Sequence, residues 1–260
     1  MRPIDRPAPG PLASVAMRAL AAIILGLGTA AGAWAQSPLA AEVRALATRY
    51  HEDPARIDTL RAAVTQAARS DPHVDNLLAL AQIAFLYGDV RARTSEEKLE
   101  AYEQGRQAAK RAADAAPKNA RAHFWHATNA GRWGQTKGVL RSLFLLPEVK
   151  RGMETALQLD PRFPQAYVLA GTVYYEVPGL FGGDLEKSEA LFRKGLELDA
   201  RFTGLRVGLA RTLVKRGQVA AARRELQAVL DEKAPSNVAD WTLKDSGEAR
   251  ALLDSLKDRS

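Results

Sequence analysis

Histidine pairs and nucleophile motifs would carry chemistry, and this sequence of 260 residues holds few of them. His123 and His126 stand three positions apart on a predicted helix and could share a metal ion, but no third ligand accompanies them. Surface or packing histidines are the other interpretation. The H-E-x-x-H, phosphate-loop and nucleophile-elbow motifs are absent from the sequence, as is cysteine. We therefore predict no catalytic site, no metal site and no cofactor, which leaves binding as the class of function.

Aromatic side chains give the main indication of a binding site. They fall on the predicted first helices of helical pairs and in one glycine-rich loop: Phe124, Trp125, Trp133, Tyr167, Tyr175 and Phe181. We interpret them as the lining of an apolar groove for a hydrophobic small molecule, and packing between helices is the alternative. Phe181 either caps this site or folds back over its hairpin. The sequence leaves open which of Phe124 and Trp125 faces the groove.

A basic stripe without acidic residues runs from Arg201 to Arg224. We predict that four of its members contact an acidic protein partner or an anionic ligand: Arg206, Arg211, Lys215 and Arg216. A solvated face is the other interpretation. The net charge of +7 falls to a modest +5 when the three basic residues and the one acidic residue of positions 1–35 are removed, and we expect no nucleic-acid partner.

The first 35 residues are predicted to be an export signal. An apolar run at 19–27 follows Arg18, and a small-residue stretch ends at Ala33-Trp34-Ala35. We predict cleavage after Ala35, a translation start at Met17, and a periplasmic or secreted mature chain. Retention of the signal as a membrane anchor is the alternative, but no other stretch is apolar enough for stable membrane insertion.

The composition and the turn signals favour helices throughout. Alanine is abundant and β-branched runs are scarce, which predicts an all-α fold. Helix-stopping junctions recur every 35 to 45 residues: Ser70-Asp71-Pro72, Ala115-Ala116-Pro117, Leu159-Asp160-Pro161, Leu198-Asp199-Ala200 and Lys233-Ala234-Pro235. A large residue is followed four positions later by a small one in each first helix, as at Tyr167 and Gly171, so that two helices can approach closely.

These units resemble tetratricopeptide repeats, whose repeat ends look like Gln158-Leu159-Asp160-Pro161 and Glu197-Leu198-Asp199-Ala200. The resemblance predicts a right-handed array of helical hairpins. We place an N-terminal helical pair at 36–72, four degenerate repeats at 73–235 and a C-terminal capping helix at 236–260. Insertions within the units are predicted at 88–92, 134–146 and 178–183. Leu140–Leu146 is predicted to form a short helix buried against the array or against a partner subunit, with Pro147 in the first turn of the helix that follows.

Three segments resemble a narrower family, the T-component proteins of TRAP transporters: Leu146-Pro147-Glu148-Val149-Lys150, the helix through Leu159-Asp160-Pro161, and Pro178-Gly179-Leu180-Phe181-Gly182-Gly183-Asp184. The resemblance implies a periplasmic partner of a TRAP solute-binding protein, a hydrophobic channel in each subunit and a homo-oligomer. The lipid anchor often found in that family is missing, because no cysteine follows the signal. The alternative function is a generic tetratricopeptide scaffold that binds a peptide or assembles envelope proteins without a small ligand.

Overall fold

The computed structural model describes residues 37–257, and every regular element among them is a helix, which confirms the predicted all-α class. The predicted export signal lies outside the described residues. The helices are α1 (Pro38–Arg49), α2 (Arg56–Ser70), α3 (Val74–Val90), α4 (Ser95–Ala115), α5 (Ala120–Lys137), α6 (Val139–Leu159), α7 (Pro164–Glu176), α8 (Leu185–Leu198), α9 (Thr203–Lys215), α10 (Val219–Asp231), α11 (Val238–Asp240) and α12 (Ser246–Ser255). A 3₁₀ helix, Gly179–Phe181, lies between α7 and α8, and the π-helical residues Trp241–Asp245 join α11 to α12.

Successive helices pack as hairpins: α3 with α4, α5 with α6, α7 with α8, and α9 with α10. Their connections are short, so the two helices of each pair run antiparallel. Each hairpin also packs against the next one along the chain, which produces the predicted array. None of the described helices combines the length and the apolar character that a bilayer crossing requires.

The predicted junctions coincide with the ends of α2, α4, α6 and α8. Asp71, Ala116 and Asp160 each precede a proline and have ψ angles of 91°, 76° and 90°. Proline disfavours the α conformation in the residue before it, so these helices stop there. At the start of α4, the Thr94 side chain accepts a hydrogen bond from the Glu97 amide, and the Glu97 carboxylate accepts one from the Thr94 amide.

Two large hydrophobic cores, with three smaller clusters among α5 to α8, hold the described part of the array together. The first lies among α1 to α5 and buries Ile57 and Ile83, and the second lies among α7 to α12 and buries Phe192 and Leu226. Ala239 of α11 belongs to the first core although it follows all four hairpins in the sequence. The C-terminal segment therefore returns to pack against α1.

Two of the predicted insertions are helical instead. Gly88 lies inside α3, and residues 139–146 form the first turns of α6 after a single linking residue, Gly138. Gly138 has φ of 110°, a conformation that glycine adopts readily, and it reverses the chain between α5 and α6. The apolar run thus joins the helix that follows it, and Pro147 lies inside α6 and not in a first turn. The run is helical as predicted, but Leu140 and Phe144 are exposed and are not buried against the array, so burial against a partner subunit stays a prediction.

Candidate binding groove

A groove with a volume of about 930 Å³ runs along the first helices of the hairpins. Residues of α1, α3, α5 and α7 form its wall, and the start of α6 lines one side. Residues 236–244 before and within the C-terminal helices line another part, because this segment returns to α1. A concave, partly apolar site of this size is typical of a ligand pocket.

A row of aromatic rings forms the apolar wall of the groove. The ring of Phe85 lies 5.5 Å from that of Trp125, the Trp125 ring lies 4.9 Å from Phe124, and Phe124 lies 4.9 Å from Phe163, measured between ring centroids. These distances are typical of favourable aromatic pairs. The row connects α3, α5 and the residue before α7, so the wall is continuous across two hairpins.

Of the six aromatic residues predicted to line a groove, Phe124 and Trp125 do so. Both face it, and Phe124 is the more buried of the two. Trp133 lies nine residues after Phe124, about half a turn around the helix, and lies outside the groove lining.

The other three aromatic side chains also lie outside the groove lining. Tyr167 is buried in the second core, and its hydroxyl donates to the Pro161 carbonyl at 2.9 Å. Tyr175 lies beneath the cationic groups of α9, and Phe181 is half-exposed in its loop.

Three polar side chains on one face of α5 line the groove beside the aromatic row. Arg121, Trp125 and Thr128 are spaced four and three residues apart, which places them on one side of a helix. The Arg121 Nε, the Trp125 Nε1 and the Thr128 Oγ1 are buried, and no hydrogen-bond partner for them exists in the described part of the chain. Burial lowers the pKa of Arg121, and the nearby charge of Arg44 lowers it further, although the charge of Asp75 opposes the shift. These unsatisfied atoms belong to side chains that line the groove, which makes them the candidates for hydrogen bonds to a ligand.

Arg121 and Thr128 were not among the site residues predicted from the sequence. Their signal was present, because a polar residue four positions before and another three positions after a candidate aromatic residue share its helix face. Finding them required knowledge of the helix register, which was uncertain by one residue in this unit.

A buried ionic cluster borders the groove. The Asp89 carboxylate accepts hydrogen bonds from the Tyr102 hydroxyl and the Arg132 Nε, both at 2.9 Å, and the Lys244 Nζ lies 3.5 Å from it. Burial raises the pKa of Asp89, but the charges of Arg132 and Lys244 outweigh it and hold that pKa below its ordinary value. The cluster connects α3, α4 and α5 with the C-terminal segment, which is a structural role.

The two histidines considered as metal ligands, His123 and His126, both contact groups of the same chain. The His123 Nε2 lies 2.8 Å from the Pro117 carbonyl oxygen, and the His126 Nε2 lies 3.2 Å from the Glu148 carboxylate. Burial lowers the pKa of His126 although Glu148 opposes the shift. Within residues 37–257 there is no cluster of three or more histidine and acidic side chains that could hold a metal ion.

The basic stripe is largely paired with acidic side chains from neighbouring helices. Arg206 lies 2.7 Å from Glu225, Arg211 lies 2.8 Å from Glu176, and Arg216 binds Glu186 and Glu189.

Lys215 donates to the Tyr175 carbonyl at 3.1 Å, and its ammonium lies over the Tyr175 ring. The pairing reduces the positive charge that the stripe presents to a partner, and partner binding by the stripe stays a prediction.

Helical hairpins stacked around a concave groove define a tetratricopeptide-type repeat protein. A tetratricopeptide-repeat profile matches residues 182–244, and the predicted resemblance is thereby confirmed. The crystal structure of a thermophilic tetratricopeptide protein from Thermus thermophilus shares the fold, with 18% identity, a TM-score of 0.58, and coverage of 81% of this chain and 95% of that one. The pilF protein of Pseudomonas aeruginosa is 16% identical, with a TM-score of 0.49 over 85% of this chain and 93% of that one.

A second profile, that of the family described as Regulator of microtubule dynamics protein 1-3, matches residues 39–181, more than half of the chain. The chain belongs to this family. Comparison with curated proteins gives no match. The resemblance to T-component proteins rests on the sequence motifs alone.

Proposed function

We propose that this chain is a non-catalytic binding protein that holds, in its groove, a hydrophobic small molecule with an acidic end. The observation that carries the proposal is the position of the buried, unpartnered polar atoms of Arg121, Trp125 and Thr128 beside the aromatic row. An apolar body would lie along the rings of Phe85 and Phe124, and its acidic end would bind Arg121 and its neighbours.

The energetics favour such a ligand over a wholly apolar one. Burial of apolar surface contributes about 25 cal/mol per Å², so a few hundred Å² give roughly micromolar binding if the groove is preformed. Burial and the charge of Arg44 destabilise the Arg121 cation, and the charge of Asp75 offsets them only in part. A carboxylate would offset both effects and would accept a hydrogen bond from the Arg121 Nε. A hydrogen bond between charged groups contributes about 1.5–3 kcal/mol.

A fluorescence titration tests this proposal. We expect a long-chain fatty acid to change the emission of Trp125, and the change to persist in Trp133→Phe but not in Trp125→Phe. Arg121→Gln should weaken binding of the acid about tenfold or more while it barely changes binding of the matched long-chain alcohol. Arg250→Gln is the control, because Arg250 is exposed on α12 and lies outside the groove lining. Equal affinities of wild type for acid and alcohol would contradict the acidic end.

The repeat architecture supports protein–protein interaction, and the alternative function is a scaffold whose groove binds a peptide. Regulation of microtubule dynamics, which the family description names, also requires protein binding, and the architecture supports that part of it. If no fatty acid or alcohol binds, but an extended peptide saturates the Trp125 signal, the scaffold replaces the small-ligand proposal.

The location and the partner are further parts of the proposal. We propose export with cleavage between Ala35 and Gln36, on the motif that ends at Ala35. N-terminal sequencing of the protein from the envelope fraction tests this proposal, and a chain that begins at Gln36 is expected. Recovery of the uncleaved precursor from the cytoplasm would contradict it.

We also propose the solute-binding protein of a TRAP-type system as the partner, on the T-component motifs. Purified partner should bind the chain in a salt-dependent manner if the basic stripe contacts it.

A further inference from the structure

Exposed apolar side chains collect at one end of the array. Leu140 is 86% exposed and Phe144 is 73% exposed in the first turns of α6, and Leu180 is 90% exposed in the loop after α7. The α5–α6 and α7–α8 connections lie at the same end because both join the two helices of adjacent hairpins. A hydrogen bond of 3.1 Å from the Lys150 Nζ to the Gly182 carbonyl holds the loop beside α6. We call Leu140, Phe144 and Leu180 the apolar tip.

The apolar tip has no structural explanation within the described chain. Leu140 and Phe144 are four residues apart and so form one outer face of α6, whereas Leu143 and Leu146 face the groove. Exposed leucine and phenylalanine side chains that lie side by side mark an interaction surface more often than single ones do.

The charges on the α6 side of the apolar tip, around Leu140 and Phe144, are positive. No acidic residue occurs from position 132 to 147. Lys137 and Arg141 have no ion pair among the described residues, and they lie over the aromatic rings of Trp133 and Phe144 at 5.6 to 5.9 Å. The nearest acidic residue that follows, Glu148, is already bound by Arg106 and His126.

We propose that the apolar tip inserts into the interface of an anionic lipid bilayer, with Lys137 and Arg141 at the level of the lipid headgroups. Apolar side chains flanked by basic ones bind membrane interfaces in this way, through apolar burial combined with attraction to anionic lipids. A second copy of the chain fits less well, since its own Lys137 and Arg141 would meet the same charges across the contact. The groove opens beside the apolar tip, because Leu143 of the same helix turns lines it.

Vesicle co-sedimentation of the mature chain tests the proposal. We expect binding to vesicles of phosphatidylcholine with about 30% phosphatidylglycerol, weaker binding to phosphatidylcholine alone, and a loss of binding at high salt. Leu140→Ser combined with Phe144→Ser should reduce the apparent affinity about tenfold or more, as should Lys137→Glu combined with Arg141→Glu. Leu243→Ser and Lys118→Glu are the matched controls, because both residues are exposed elsewhere on the array. Circular dichroism and thermal melting verify that each variant is folded.

Three outcomes would overturn the proposal: no sedimentation with either vesicle, equal sedimentation of the apolar tip variants and wild type, or a dimer by light scattering that the Leu140 and Phe144 variants abolish. The last result would assign the apolar tip to a contact between copies. Vesicle binding does not depend on the proposed function. The fatty-acid titration at Trp125, made without vesicles, should be unchanged in the apolar tip variants, so either proposal can fail alone.

Discussion

The Tyr50 hydroxyl donates a hydrogen bond of 2.6 Å to the Asp240 carboxylate, so the end of α1 is joined to a segment 190 residues later in the chain. Burial raises the pKa of Tyr50, and the charge of Asp240 raises it further. Lys244 lies 3.0 Å from the same Asp240 and also approaches Asp89. The C-terminal segment is therefore held at the groove by contacts with the end of α1 and with Asp89 of α3.

Removal of this hydrogen bond should destabilise the fold. We expect Tyr50→Phe to lower the free energy of unfolding by about 1–2 kcal/mol, because Asp240 loses a donor in a largely buried position. Urea denaturation measures the free energy of unfolding. Tyr87→Phe is the control, since no hydrogen bond of the Tyr87 hydroxyl is found in the described chain. Equal losses in the two variants would contradict a specific connection between the ends of the array.

Asp89 should contribute more to the stability of the fold than the Tyr50 hydroxyl does. Asp89→Asn removes the negative charge between Arg132 and Lys244, and we expect it to cost about 2 kcal/mol or more at neutral pH. The pKa of Asp89 is lowered in the folded state, so its contribution is present above its unfolded-state pKa and is lost as the pH falls through the folded-state value. The difference in stability between wild type and variant should therefore shrink below about pH 4. A difference that is constant with pH would contradict this account.

The sequence predicted the helices well because the signals that end them are local in the sequence. Proline after Asp71, Ala116 and Asp160 stops each helix whatever the rest of the chain does. The return of the C-terminal segment to α1 is different, because the contact between Tyr50 and Asp240 has no local signal. Asp89 did have one, as an acidic residue at the end of an otherwise apolar helix, but its partners come from separate elements.

Asp245 should make stability fall as the pH rises. Burial raises its pKa to about 6, and its carboxyl lies 2.6 Å from the Thr203 hydroxyl. Because the folded-state pKa exceeds the unfolded value, the contribution is full below about pH 4 and is lost as the pH rises through about 6. The free energy of unfolding of wild type should fall by about 2–3 kcal/mol over that pH window through Asp245, and Asp245→Asn should abolish this fall. Denaturation from acid to neutral pH measures it. Parallel curves for wild type and variant would contradict the raised pKa.

Close approach of α7 and α8 depends on Gly171. A Cβ atom at this position would lie 2.7 Å from the Phe192 ring, which is itself buried in the second core. We expect Gly171→Ala to destabilise the fold by about 1–3 kcal/mol through overpacking. Gly247→Ala is the control, because a Cβ there meets nothing within 4 Å and alanine favours helix. Thermal melting compares them, and a stabilised Gly171→Ala would show that the ring of Phe192 moves freely.

The candidate site was predicted only in part, for a reason of helix geometry. Phe124 and Trp125 were identified because large aromatic residues in a first helix are visible in the sequence. Trp133 looked equivalent, but an error of one residue in register moves a side chain about 100° around the helix. The pairing of Arg211 with Glu176 was also invisible, since these residues lie on different hairpins.

Native mass spectrometry of the mature chain mixed with a long-chain fatty acid tests the central claim most directly. We predict one bound acid per chain, a much weaker complex with the matched alcohol, and loss of the complex with the acid in Arg121→Gln but not in Arg250→Gln. The complex should also be lost in Trp125→Ala if that variant remains folded by circular dichroism. Absence of any complex, or complexes of equal intensity for wild type, Arg121→Gln and Trp125→Ala, would contradict the claim that this groove holds an apolar molecule by its acidic end.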